Sequence, residues 1–63
     1  MRERIAFIGV AAGYVSLERE DEDGVNYYIL SVMNDGKSME RYLDERELRL
    51  LARCIRDELE REG

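Results

Sequence analysis

Four arginines, Arg46, Arg49, Arg53 and Arg56, recur at three- and four-residue spacing in the last third of the chain. On a helix that spacing gathers them on one side. A guanidinium is a planar fork that matches phosphate or carboxylate, so such a stripe is a candidate anion site. Tyr27 and Tyr42 precede it and supply rings able to stack on a base. Together the six residues suggest a nucleotide-like anion held by arginine and tyrosine at a seam between subunits. The plainer account is a solvated helix face, because Glu45 with Arg49, Arg53 with Asp57 and Arg56 with Glu60 stand at the i,i+4 spacing of surface ion pairs.

Other residue types point away from catalysis. The chain has no His, so the usual general base is missing. Ser16, Ser31 and Ser38 have no evident activating partner, and Lys37, the single lysine, sits beside a turn. Cys54 lies among arginines, but a helix interior seldom hosts a nucleophile. Asp21, Glu22 and Asp23 offer oxygen ligands to a hard cation, without the calcium-loop spacing or a second carboxylate group. The glycine-rich run Gly9-Val10-Ala11-Ala12-Gly13 matches neither the phosphate loop nor the dinucleotide fingerprint. The expectation is a protein that is not an enzyme and carries no metal and no cofactor.

The elements that must position these residues are legible in outline. Residues 44–62 read as one helix. Asp44 caps it with Glu47 three residues on, as in a capping box. Leu48, Leu51, Ala52, Ile55 and Leu59 fall within an arc of roughly 100°, while Leu50 and Cys54 lie well outside it. Residues 25–33 (VNYYILSVM) form the strongest strand, rich in β-branched and aromatic side chains. Asp35-Gly36 is a tight hairpin signal, and residues 38–43 return as a strand. With a two-residue loop, Val32 faces Met39, Leu30 faces Arg41 and Tyr28 faces Leu43. On the other side Ile29 meets Tyr42, with Val25 and Tyr27 beside them.

The first third admits two readings. Residues 4–10 and 14–20 form a hairpin with loop Ala11-Ala12-Gly13 and Gly13 left-handed, or residues 4–20 make one strand bent at the glycines. The hairpin is preferred, because the single strand would far exceed the usual length. Either way Ile5, Phe7, Val15 and Leu17 are expected to share a face. The acidic run Glu18 to Gly24 reads as a solvated connector.

The fold class expected is therefore α+β: an antiparallel meander of three or four strands, then one C-terminal helix packed on one sheet face, in a single domain spanning residues 1–63. A domain of this size buries only about 60% of its unfolded surface. One cysteine forms no intrachain bridge, and without His or a cysteine cluster there is no structural zinc. Oligomerisation is the remaining device. One helix covers one face, so the face bearing Tyr27 and Ile29 calls for a second copy, with Leu50 and Cys54 as further contacts to it.

Acidic residues number 15 against 10 basic ones, a net charge of −5. That argues against a non-specific nucleic-acid binder. No apolar run reaches the length of a membrane span, and the lone cysteine without a recognisable signal segment leads to a cytoplasmic expectation. In size and charge the chain looks like small proteins of phages and mobile elements, including anti-defence proteins. The function expected is a non-catalytic binding or inhibitory protein acting as a homo-oligomer on a protein or a nucleotide-like anion. The rival is a nucleic-acid-binding regulator whose basic face is Arg2, Arg4, Arg41 and the helical arginines.

Overall fold

The computed structural model describes residues 1–62. The chain runs through β1 (Arg2–Val10), β2 (Gly13–Glu22), β3 (Val25–Asn34), β4 (Lys37–Asp44) and α1 (Glu45–Glu62). The strands make one antiparallel sheet in the order β1-β2-β3-β4, so the α+β meander followed by a single helix is present. Asp23-Gly24 and Asp35-Gly36 are two-residue turns with both members left-handed (φ 54° and 78°, 51° and 78°). That conformation matches strand twist in tight hairpins. It fixes Val32 opposite Met39, Leu30 opposite Arg41, Tyr28 opposite Leu43 and Ile29 opposite Tyr42, the register expected from the sequence.

The first hairpin differs from expectation. Its loop is Ala11-Ala12, and the left-handed residue is Ala12 (φ 66°), not Gly13. Gly13 lies inside β2, opposite Val10 and Asn34. Its glycine is required by close approach, since a Cβ there would overlap the carbonyl oxygen of Met33. The amide of Asp35 donates to the carbonyl of Ala12 at 2.9 Å, tying the first and third turns together.

Within β1, Arg4 pairs with Glu18 and Ala6 with Leu17, so Ile5 is an extra residue in a bulge. A bulge reverses which face later residues occupy. Phe7 therefore lies opposite Ser16, while Ala6 and Ile8 join Leu17 and Val15. The expected grouping of Phe7 with Val15 and Leu17 does not hold. The acidic run is also not a connector. β2 continues to Glu22, with Glu20 opposite Tyr27 and Glu22 opposite Val25. Neighbouring like charges resemble a loop in sequence, but alternation sends Glu18, Glu20 and Glu22 to one face and Asp21 to the other.

The two faces differ in kind. One is charged and aromatic: Arg2, Arg4 and Phe7; Tyr14, Ser16, Glu18, Glu20 and Glu22; Tyr27, Ile29 and Ser31; Glu40 and Tyr42. The other is apolar through its middle: Ala6 and Ile8; Val15 and Leu17; Tyr28, Leu30 and Val32; Met39 and Leu43. Buried hydrophobic side chains are few, namely Ile29 (1% exposed) and Leu43 (9%). On the charged face Arg2 reaches Glu18 at 2.8 Å and Glu40 at 3.2 Å, bridging β2 and β4 across the strand that carries Ile29. Ser31 Oγ donates to the same Glu40 carboxylate at 3.4 Å.

The helix forms as expected but does not pack flat on a sheet face. Its capping box is complete: the Glu47 amide donates to Asp44 Oδ1 at 2.7 Å and the Asp44 amide to Glu47 Oε1 at 3.0 Å. It touches β3 and β4 but neither β1 nor β2. Leu48 is half-buried, and exposure then climbs along the stripe through Leu51 (39%), Ile55 (52%) and Leu59 (69%). The cause is the junction. β4 ends at Asp44 and α1 begins at Glu45, whereas a helix that returns over its own sheet is usually joined by about 2–6 residues.

Candidate functional site

The residues singled out for anion binding separate into two places. On the helix, Arg49, Arg53 and Arg56 line a shallow open depression with Ala52. Arg46 is on the same helix but is not part of that lining. Of the three expected ion pairs one forms: Arg49 donates to Glu45 Oε1 at 2.6 and 3.2 Å. This hydrogen bond raises the Arg49 pKa above the ordinary guanidinium value, so the group stays charged at any working pH. Among the described residues neither Arg53 nor Arg56 has a carboxylate within 4.0 Å.

Tyr27 and Tyr42 lie on the charged sheet face, where they line a second depression with Glu20, Glu22, Asp23 and Val25. Their companions are carboxylates, not guanidiniums. Within one chain the tyrosines and helical arginines do not converge, because alternation puts Tyr28, the neighbour of Arg49, on the opposite face from Tyr27. Tyr27 is 40% and Tyr42 56% exposed, so both rings are accessible.

The residues expected at an oligomer contact are likewise divided. Ile29 is buried within its own chain and offers no surface as folded, being flanked in register by Glu18 and Tyr42. Leu50 is half-exposed, and Cys54 is an exposed free thiol. Both lie on the side of α1 away from its apolar stripe.

The sequence reading missed two arrangements. One is the bridge from Arg2 to Glu18 and Glu40. The hydrogen bond that Arg2 Nε donates to Glu18 Oε1, opposed in part by desolvation, raises the Arg2 pKa. The other is a stack of Phe7 on Tyr14 (centroids 5.3 Å, planes 28° apart) with the Arg4 guanidinium 4.9 Å from the Phe7 ring centre. Both depend on which β1 residues lie on the charged face, and the bulge at Ile5 decides that. An isolated isoleucine in an apolar run carries no sequence signal for a bulge.

Chemically, the tyrosine–carboxylate depression suits a cation, since a guanidinium or ammonium can lie over a ring while bonding a carboxylate. The arginine depression suits an anion. Among the described residues no group of three or more His, Cys, Asp or Glu side chains is placed to hold a metal ion. Among the described residues no helix is long and apolar enough to cross a membrane. No protein-family model, curated protein or solved structure matches the chain.

Proposed function

We propose that this chain is a small non-catalytic binding protein, acting as a homo-oligomer, whose charged sheet face engages a basic segment of a protein partner. The observation that carries this reading is the placement of Tyr27 and Tyr42 in one open depression with Glu20, Glu22 and Asp23. A partner arginine or lysine resting on either ring would find a carboxylate within reach, and partial exclusion of water would strengthen both contacts. The net charge of −5 adds long-range attraction for a basic surface. Occupying such a surface inhibits a target without any catalytic group.

Calorimetry with an arginine-rich peptide tests it. Binding should weaken as salt is raised, fall at least tenfold in Tyr42→Ala and in the double variant Glu20→Gln with Glu22→Gln, and vanish with an acidic control peptide. Absence of heat with the basic peptide refutes the reading.

A second reading keeps the nucleotide-like anion, now on the helix alone. It is favoured by Arg53 and Arg56 having no carboxylate within 4.0 Å among the described residues. A panel of mono-, di- and cyclic nucleotides, titrated into wild type and Arg53→Ala, decides it. A single-stranded oligonucleotide in the same series addresses the rival nucleic-acid-binding regulator, whose affinity would fall steeply with salt.

A further inference from the structure

The chain exposes more surface than a folded monomer of its mass should. A monomer of 7.4 kDa is expected to expose about 4,200 Å², whereas this chain exposes 5370 Å². The surplus of about 1,200 Å² exceeds the roughly 800 Å² that each partner buries in a standard stable interface. Two apolar surfaces contribute to it. One is the helix stripe Leu51, Ile55 and Leu59. The other is the apolar sheet face, where Ile8 is 60%, Val32 42% and Met39 75% exposed.

These are the two halves of a helix-on-sheet layer, and the chain cannot join them itself. With no residue between Asp44 and Glu45, α1 leaves along the direction set at the end of β4. It reaches β3 and β4 only, and the β1–β2 half of the face stays bare. A junction too short for an element to fold back is the circumstance in which identical elements are exchanged between protomers.

We propose that two copies of this chain exchange helices, the stripe of each α1 lying on the apolar sheet face of the other. This rests on the homo-oligomer reading above and adds which surfaces meet. Charge disfavours two other occupants. The face also carries Arg19, paired with Glu3, and Arg41 on the edge strand β4, 4.0 Å from Glu47, and a chain of net charge −5 is repelled by nucleic acid and by anionic lipid alike. An exchanged pair leaves the charged faces, with Tyr27 and Tyr42, pointing outward on both sides.

Two measurements on the wild-type chain test the proposal. Sedimentation equilibrium over a concentration series should give a dimer. Isotope-filtered NOE spectroscopy on a mixture of labelled and unlabelled chains should give cross-chain contacts from Ile55 and Leu59 to Ile8 and Val32. A dimer whose cross-chain contacts run edge to edge, sheet to sheet or helix to helix overturns the exchange and leaves the homo-oligomer standing. A folded monomer overturns both. A variant with about four Gly and Ser residues inserted between Leu43 and Asp44 keeps the helix cap and supplies the missing connection. It should dissociate at least tenfold more readily than wild type, and an unchanged dissociation constant overturns the exchange.

Discussion

Adjacent residues in the first turn make opposite demands on the backbone. Ala12 has φ 66°, a conformation in which an L side chain crowds the following carbonyl. Ala12→Gly relieves that crowding but gives the unfolded chain more freedom. The balance is a gain of about 0.5–1 kcal/mol, read as a rise in thermal midpoint. Gly13→Ala has the reverse sign, because the new Cβ meets the Met33 carbonyl and β2 and β3 must separate there. Its expected cost is more than about 2 kcal/mol, with the loss of amide protection concentrated at Gly13 and Asn34. Glycine is the default for a left-handed position, which makes Gly13 resemble the turn residue in sequence. The glycine is needed for a neighbouring strand, and no single-chain pattern distinguishes the two needs. The arginine stripe was legible as a stripe, but its ion pairing was not. Three pairs shared the same spacing and one formed, since exposed pairs gain little over solvation.

At the scale of elements, the strands and helix were legible where local chemistry is strong and obscure where one residue changes parity. Asp35-Gly36 fixed the β3–β4 register. The bulge at Ile5 moved Phe7 to the charged face and left Ile8 on the apolar one. The direction of α1 was open to inference, because a strand through Leu43 and a cap at Asp44 leave no connecting residue. The cap is worth measuring. Asp44→Ala removes the acceptor for the Glu47 amide and should lower stability by about 1 kcal/mol, with a loss of helical circular dichroism. Leu43 and Ile55 make a contrasting pair. Leu43→Ala empties one of the few buried apolar sites and should cost about 2–5 kcal/mol in denaturant unfolding at any protein concentration. Ile55 is half-exposed in its own chain, so Ile55→Ala should weaken association between chains, and its effect should shrink as the protein is diluted.

For the whole molecule the proposed exchange links stability to amount. A chain that covers its apolar face only with a second copy should melt at a higher temperature as concentration rises. A tenfold increase should shift the midpoint upward by several degrees, and a midpoint independent of concentration would contradict the assembly. The order β1-β2-β3-β4 has a further consequence, which concerns time. Every strand pairs with its neighbour in sequence, and each closure spans a two-residue turn. Contacts so local form fast, hairpins in about 1–10 μs, and they need no other molecule. In the proposed helix exchange, covering the apolar face requires a collision. Refolding from denaturant should accordingly divide into a rapid step whose rate ignores concentration and a slower one whose rate grows in proportion to it. The interval between them is when the bare sheet face is open to wrong encounters, and more dilute protein spends longer in that interval.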